Sequence, residues 1–414
     1  MPVPGATTLG PRFSRLLAAS TISNIGDGLI VAALPLAAIE VTDSPLLVSG
    51  IVFARGIPWL VFGLTAGVIV DRTDRRRLMA LVDFGRAAII GALGLAMLVS
   101  DVPIGILYLV ALGLGAGEVL FDSASNAFIP MLVPDDQLER ANSRLYMSVT
   151  VANELSGPAA GAWLFAAAAA APFLFDAGTF VFAAAMVLAI RGNWRAEPGP
   201  HKRIAADDYI PRPSVRTSIR EGLRFVRQHP LLRALAVTGA GYNFLATGLE
   251  AVAVLYIREE LDASVRVYGL ILTLAAVGGL AGGALAPRIY GRYRAGPVIV
   301  IDVLICAVAA LVAAAIGNLV AWTLFDMLLF GGSAIASIGS QSMRQRAMPP
   351  ELAGRISSLF LLALFGAGPL GAAAFGVLTA ATGLTAALVA FGVGAIALMA
   401  LTGPRLIAAT TQHA

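Results

Sequence analysis

The sequence predicts an all-α membrane protein with twelve transmembrane helices arranged as two six-helix bundles. Of its 414 residues, 58% are hydrophobic and 13% are charged, whereas soluble domains contain about 25% charged residues. The mean hydropathy of +0.83 excludes a disordered chain, because disorder requires low hydrophobicity. A helix needs about 20 residues to cross the hydrocarbon layer, so twelve spans with short connections use nearly the whole chain.

Hydropathy, with charged residues and Gly or Pro turns as boundaries, places the twelve spans along the chain. The apolar run that follows Arg12 and Arg15 is too long for a cleaved signal peptide, so we expect it to form the first span. The stretch from Ile356 to Pro404 contains no charged residue and no histidine, and it is predicted to hold the last two spans with a turn near Gly383. The predicted spans are 14–40, 45–70, 78–100, 103–131, 141–167, 170–190, 232–257, 265–287, 295–316, 319–345, 352–380 and 383–403.

The positions of the arginines predict the orientation of the chain. Arg258 and Arg266 fall in one connection, Arg55 and Arg86 fall within spans, and all other basic residues lie on the side opposite Arg258 and Arg266. By the positive-inside rule this arginine-rich side faces the cytoplasm. We therefore expect a multi-pass protein of the cell membrane with both termini in the cytoplasm.

The longest polar stretch, from Arg191 to Arg233, separates the sixth span from the seventh. It predicts a first bundle at 1–190, a cytoplasmic linker at 191–231 and a second bundle at 232–414. Within the linker, Ser218 is placed to cap a short helix whose apolar residues Ile219, Leu223 and Val226 share one face. We expect this helix to lie on the inner membrane surface; a solvated loop is the alternative.

The two halves of the sequence resemble each other. A shift of 215 positions superposes Gly67 on Gly282, and a shift of 211 superposes Gly157-Pro158 on Gly368-Pro369. These matches fall at corresponding span ends, which predicts two bundles related by an axis along the membrane normal, with a substrate path between them.

The segment that joins the second and third spans carries a recognisable signature, Gly67-Val-Ile-Val-Asp71-Arg72-Thr-Asp74-Arg75-Arg76-Arg77. It resembles the loop signature of the major facilitator superfamily, except that Asp74 stands where the family usually has glycine. The Asp71 carboxylate is suited to accept hydrogen bonds from helix N-terminal amides or from arginine, which would hold the two bundles together on the cytoplasmic side. The predicted conformational switch therefore includes Gly67, Asp71, Arg72, Arg75 and Arg76; the alternative is a basic loop that only fixes topology.

The fifth span contains Asn153-Glu-Leu-Ser-Gly157-Pro158-Ala-Ala-Gly161. This segment resembles the Gly-Pro-x-x-Gly motif of drug/proton antiporters, with Asn153 in place of the usual first glycine. Proline removes a hydrogen bond within the helix and glycine allows close helix approach. We expect Gly157, Pro158 and Gly161 to let this span bend and pack against a partner; simple helix packing by small residues is the alternative.

Ionisable residues within the spans are the candidate functional groups, because a charge near the bilayer centre costs about 2.5–3.5 kcal/mol even on a lenient scale. Asp27 and Arg55 are at similar predicted depth and are placed to pair, Asp83 and Arg86 share one helix face, and Glu118 and Asp122 share another. The proton-coupling candidates are, in order, Glu118, Asp27, Asp122 and Glu154. For each of them a structural ion pair is the alternative, although Glu118 and Glu154 have no evident partner in the sequence. In the second half, Asn243 and Glu250 are predicted to face the substrate path, whereas Asp176, Asp302 and Asp326 are predicted to be structural or interfacial.

Taken over nearly its whole length, the chain resembles the drug and siderophore exporter branch of the superfamily. The fourth span departs from the drug-antiporter pattern. Drug antiporters usually have an arginine in this span, whereas the segment Leu112-Gly-Leu-Gly-Ala-Gly117-Glu118 contains none and has an acid instead. The resemblance implies proton-coupled export of small hydrophobic or amphipathic compounds such as drugs, antibiotics or siderophores. An importer of nutrients with the same fold, and a non-transporting lipid scramblase or sensor, are the alternatives.

The sequence also argues against several other classes of protein. One cysteine, Cys306, and three histidines are too few for a disulfide framework or a metal centre, and Lys202 lies in no phosphate-binding loop. We therefore expect a non-enzyme without cofactor or metal. The arginines lie between hydrophobic runs, which favours topology signals over binding of nucleic acid. The expected partners are a small-molecule substrate, protons and membrane lipids, and the expected state is a monomer.

Overall fold

The computed structural model describes residues 9–63, 65–134, 137–192, 194, 223–348 and 353–411, and helices account for nearly all of them. Eleven helices in this part of the chain are long and apolar enough to cross a membrane. The predicted class, an all-α membrane protein, is confirmed.

The described residues of the first half form eight α-helices. The second predicted span consists of two helices, because the chain turns at Gly63 and again at Thr65. The helices are α1 (Gly10–Ile39), α2 (Pro45–Phe62), α3 (Ala66–Arg72), α4 (Arg75–Val99), α5 (Ile104–Phe128), α6 (Leu138–Val149), α7 (Gly157–Ala167) and α8 (Ala171–Leu188).

In the second half, six long α-helices lie within the described ranges. They are α9 (Pro230–Leu255), α10 (Val265–Arg292), α11 (Ala295–Ile316), α12 (Leu319–Ala347), α13 (Ala353–Thr382) and α14 (Thr385–Thr411). Gly317 and Gly383 have φ values of +62° and +93° in the turns after α11 and α13. Glycine tolerates this left-handed conformation, which explains why the predicted turn at Gly383 ends α13.

The fifth span is assembled from three consecutive segments. A π-helical segment, Thr150–Ser156, joins α6 to α7, and Pro158 lies in the first turn of α7. Because proline has no backbone N–H to donate, a change of helical hydrogen-bonding pattern immediately before it is favoured. With this composite segment added to the eleven long apolar helices, the described residues include a helix at each of the twelve predicted spans.

Corresponding helices pack in the same way in both halves. In the first half α8 packs against α1 and α4, and in the second half α14 packs against α9 and α11. The contact of α1 with α7 is likewise matched by that of α9 with α13. This repeated pattern agrees with the internal repeat predicted from the sequence. The exact limits of the two bundles stay a prediction, because 195–222 lie outside the described residues.

The two halves meet mainly through α2 with α13 and through α7 with α10. The indole Nε1 of Trp163 on α7 donates a hydrogen bond to Thr273 Oγ1 on α10, over 3.3 Å. In contrast, α6 forms the other end of the fifth span, on the side of the membrane that holds residues 9 and 411. Among the described residues, α6 makes no extensive contact with α10. The halves are therefore joined on the side of the membrane opposite residues 9 and 411.

The buried core has the same asymmetry. We call the side that holds residues 9 and 411 the terminal side. One continuous cluster of buried side chains crosses both halves on the opposite side and includes Leu36, Leu255 and Phe375. On the terminal side the core divides into two separate clusters, one in each half. The described conformation is thus closed on the far side and separates toward the terminal side, which the arginine distribution predicts to be cytoplasmic.

Only the end of the predicted linker helix is described. Residues 223–228 are helical, and Val226 is buried with Leu231 and Leu232 in the terminal-side cluster of the second half. Leu223 is exposed, while Ser218 and Ile219 lie outside the described residues. The apolar face predicted to lie on the membrane thus contributes at least Val226 to the second bundle.

Candidate functional site

A network of charged side chains crosses the interior of the first half. Arg86 on α4 donates a short hydrogen bond to Asp27 on α1. Asp27 Oδ1 also lies 3.5 Å from Nη2 of Arg55 on α2, and the same Arg55 nitrogen lies 3.2 Å from Glu118 Oε2 on α5. Asp83, one turn before Arg86, lies 3.9 Å from Arg86 Nη1. Four helices that are distant in sequence are thereby connected by alternating charges.

Exposure increases along this network. The side chains of Asp83 and Arg86 are 0% and 2% exposed, whereas those of Arg55 and Glu118 are 17% and 23% exposed. Asp27, which contacts both arginines, is buried. The network therefore runs from a sealed interior to a pair of groups that solvent or a ligand can reach.

Glycines allow the helices to come close enough for these contacts. A Cβ atom on Gly117 of α5 would overlap the Arg86 side chain, and one on Gly115 would overlap the backbone of Arg55. On α1, a Cβ on Gly26 would overlap Asp176 and Thr179 of α8. The small residues beside each charged residue thus make room for the long arginine side chains.

The structure corrects the expectation that Glu118 has no partner. Arg55 donates to Glu118 Oε2 through both Nε (3.4 Å) and Nη2 (3.2 Å). The expected pairing of Asp27 with Arg55 is present, but the shorter contact of Asp27 is with Arg86. Hydropathy indicates how deep a residue lies in the membrane but not which way its helix is turned, so the sequence did not indicate these partners.

Two acids that are not among the proton-coupling candidates, Asp83 and Asp176, also join the network. Asp176, predicted to be structural, is fully buried beside Gly26. Its Oδ1 accepts a hydrogen bond from Thr179 Oγ1 at 3.0 Å, while its Oδ2 has no hydrogen-bond partner among the described residues. Both carboxylate oxygens of Asp83 also lack a hydrogen bond within the described part of the chain.

Asp122 lies one helical turn beyond Glu118 on α5 and is partly exposed. It is close enough to Glu118 and Asp27 for their charges to interact. The cluster thus combines five carboxyl groups with two guanidinium groups, and its members are Asp27, Asp83, Glu118, Asp122, Asp176, Arg55 and Arg86. Glu154, the fourth proton-coupling candidate, is in the π-helical segment of the fifth span, and its side chain lies outside the described structure.

In the second half, the two path-facing candidates have different environments. Asn243 Nδ2 donates to the Leu364 carbonyl of α13 at 2.5 Å, so this amide joins two helices of its own bundle. Glu250, two turns later on α9, is exposed and interacts electrostatically with Asp326 on α12. Asn243 therefore has a packing role in this conformation, whereas Glu250 is accessible.

The predicted switch residues lie around the start of α4. Asp74 accepts a hydrogen bond from the Arg77 N–H at 3.0 Å and thereby caps α4. This explains why aspartate is suited to the position that usually holds glycine, since aspartate is a favoured N-cap residue. Gly67 and Arg72 are both exposed, and the side chain of Asp71 lies outside the described structure.

The two following arginines bind within the first half. Arg75 Nη1 lies 3.6 Å from Met131 Sδ, and Arg76 Nη1 donates to the Ile190 carbonyl beyond α8 at 3.1 Å. In the described conformation these contacts hold the terminal side of the first bundle together. A contact of the switch residues with the second bundle stays a prediction.

The Gly-Pro segment of the fifth span packs tightly against α1. Gly157 lies against the backbone of Gly28, and Gly161 lies against the backbone of Leu29. In the second half, Gly371 lies against the backbone of Phe244 on α9 in the corresponding arrangement. The expected close helix approach is present, and the π-helical segment directly precedes it.

Comparison with known proteins agrees with these features. The family model of the Major Facilitator Superfamily matches residues 16–372. The multidrug efflux pump Tap of Mycolicibacterium fortuitum is 30% identical to the chain over 97% of each protein. Macrolide efflux protein A of Streptococcus pyogenes is 25% identical over 68% of the chain and 67% of its own length.

A solved structure shows the same fold. The crystal structure of a bacterial homologue of the iron transporter ferroportin, in its inward-facing state, has a TM-score of 0.71 and 18% identity, and the match covers 96% of this chain and 98% of that one. At this identity the likeness concerns the fold alone. The family match over most of the sequence, the twelve spans and the repeated helix packing lead to one conclusion: the chain is a member of the Major Facilitator Superfamily, and so a membrane transporter and not an enzyme.

Proposed function

We propose that the protein is a proton-coupled exporter of small hydrophobic or amphipathic compounds in the cell membrane. The single observation that carries the proposal is the acid-rich network of the first half. A partly exposed acid, Glu118, is paired with Arg55, and the network continues through Asp27 to groups that are fully buried.

Charge counting supports proton binding in this network. If all five carboxyl groups were ionised, two guanidinium groups would leave three negative charges uncompensated in the interior of a membrane protein. Uncompensated buried charge is strongly unfavourable, and a buried acid then tends to take up a proton instead. The proposal therefore has part of this carboxyl cluster protonated when it is sealed, and deprotonated when its surroundings become more polar or a cation approaches.

The pairing of Arg55 provides a route by which protons and conformation are linked. Arg55 contacts Asp27 and Glu118 from α2, the helix that also forms the main interface with α13 of the other half. Movement of α2 during opening and closing would change the distance between Arg55 and its two acids. The protonation of Glu118 and Asp27 would then follow the side on which the transporter is open.

The relatives support the direction and the class of substrate. Tap is a multidrug efflux pump and the streptococcal protein is a macrolide efflux protein. By similarity we propose export of amphipathic antibiotics or related compounds, with the terminal side in the cytoplasm and the protein acting as a monomer.

Transport in liposomes tests the proposal. Purified protein should move ethidium or radiolabelled erythromycin in response to an imposed pH gradient, and the Glu118→Gln variant should lose the dependence on the gradient. The matched control is Glu40→Gln, which removes an exposed acid at the end of α1. Movement that ignores the pH gradient in the unmodified protein, or unchanged coupling in Glu118→Gln, would contradict the proposal.

A further inference from the structure

A basic recess lies at the terminal side of the first half, away from the charge network. It has a volume of about 590 Å³ and is formed where α1 begins and α8 ends. Three arginines line it, together with apolar and backbone groups, and no acidic residue lines it within the part of the chain that the structure describes. The lining residues are Pro11, Arg12, Arg15, Leu188, Ala189 and Arg191.

Two of the arginines are held in place by the surrounding structure. Arg15 Nη1 donates to the Ala189 carbonyl at 3.0 Å, which uses one of the five N–H donors of its guanidinium. The guanidinium carbon of Arg12 lies 5.6 Å from the centre of the Trp194 ring, in a cation–π contact. Both side chains are thereby oriented at the recess, and the described residues engage only part of their hydrogen-bonding capacity.

The charge of the recess defines the ligand as an anion. Arginine guanidiniums bind phosphate through paired hydrogen bonds, and basic pockets between helix ends on the cytoplasmic side of a membrane are suited to phospholipid headgroups. We propose that this recess binds the phosphate of an anionic phospholipid of the cytoplasmic leaflet.

The helix that forms one wall of the recess favours a lipid over free phosphate. Leu188 lines the recess and is 41% exposed, and Val181 is 48% exposed. The two residues are seven positions apart on α8, so they lie on the same face about 10 Å from each other along the axis. An acyl chain attached to a phosphate in the recess would run along this apolar strip toward the membrane interior.

Native mass spectrometry of the purified full chain titrated with phosphatidylglycerol tests this site. We expect the affinity for phosphatidylglycerol to fall about 5-fold for each arginine removed, in keeping with the attraction between one arginine and an anionic leaflet. The test variants are Arg191→Gln alone and the triple variant Arg12→Gln/Arg15→Gln/Arg191→Gln. The single variant leaves the described hydrogen bond and cation–π contact intact, so it remains informative even if the triple variant folds poorly.

The matched control removes the same number of positive charges from the terminal side of the second half. It is the triple variant Arg288→Gln/Arg294→Gln/Arg405→Gln, in which all three replaced arginines are exposed and lie outside the recess. Phosphatidylcholine, which has no net charge, should bind all variants equally. An equal loss in the control and test variants would overturn the proposal, because binding would then depend on overall charge. Full displacement of the lipid by millimolar inorganic phosphate would also overturn it, since the ligand would be the free anion.

Discussion

The Arg55 guanidinium on α2 lies between two acids, and its Nη2 is 3.2 Å from Glu118 Oε2 on α5. This contact joins a helix at the interface between the halves to a helix inside the first bundle. It is also the most exposed ion pair of the network, so it is the first to meet solvent or substrate.

If Arg55 and Glu118 act as a unit, replacing both should be no worse than replacing one. We expect Arg55→Met and Glu118→Gln each to lower the transport rate about tenfold by removing its dependence on the pH gradient, and the double variant to lower it by a similar factor, because groups that act together are not additive. Initial rates in liposomes measure this. Multiplicative losses in the double variant would mean that the two side chains act independently.

Arg86 should matter more for stability than Arg55. It is almost fully buried, contacts Asp27 and Asp83, and stacks on Phe180 with its guanidinium carbon 4.1 Å from the ring centre. Removing one partner of a buried ion pair costs about 3–5 kcal/mol, so Arg86→Met should strongly lower the free energy of unfolding in detergent. The double variant Arg86→Met/Asp27→Asn should recover part of the loss, since it removes one of the two carboxylates that lose their contact with Arg86. A double variant less stable than Arg86→Met would contradict the importance of this pair.

The close approach of α7 to α1 makes a testable packing prediction. A Cβ on Gly161 would overlap the backbone of Leu29, and a backbone cannot move aside cheaply, so Gly161→Ala should destabilise the protein by about 1–3 kcal/mol. Gly178→Ala on α8 is the control, because a Cβ there meets no atom within 4 Å; it should be neutral or stabilise the helix by up to about 1 kcal/mol. Unfolding in detergent measures both changes. Equal stability of the two variants would show that α1 and α7 are not tightly packed.

A disulfide across α2 and α13 should arrest transport. A Cβ on Gly376 would lie 3.0 Å from Ser49 Cβ, near the 3.5–4.5 Å that disulfides need. In a Cys306→Ser background, oxidation of the Ser49→Cys/Gly376→Cys variant should stop transport, and reduction should restore it, because the far side must open during the cycle. The two single-cysteine variants are the control. Continued transport by the fully cross-linked protein would mean that these helices stay together throughout.

Much of the fold could be predicted from composition and hydropathy, since the distance of a residue from the ends of an apolar run indicates its depth in the membrane. Gly383 was placed correctly in its turn because glycine tolerates a positive φ. Asp27 and Arg55 could be placed at one level by counting residues from the span ends. Hydropathy does not show how each helix is rotated about its axis. The pairing of Glu118 with Arg55 and the burial of Asp176 beside Gly26 could therefore be determined only from the structure.

The sequence predicts a bend in the fifth span but not the π-helical segment that precedes it. Pro158 predicts a bend. The hydropathy of the segment does not distinguish an α-helix from the i to i+5 hydrogen-bonding pattern found over Thr150–Ser156. Likewise, the sequence shows Asp74 only as a departure from the family signature. The structure shows that Asp74 caps α4 by accepting a hydrogen bond from the Arg77 N–H.

The widened turn at Thr150–Ser156 contains a surplus residue relative to an ordinary α-helix. If the position of this extra residue shifted along the chain by a few residues, α6 (Leu138–Val149) would rotate about its own axis. Gly157 and Gly161 of α7 would meanwhile remain packed against α1. Such a shift would let the terminal-side part of the fifth span change its orientation without disturbing the close packing of α7 against α1.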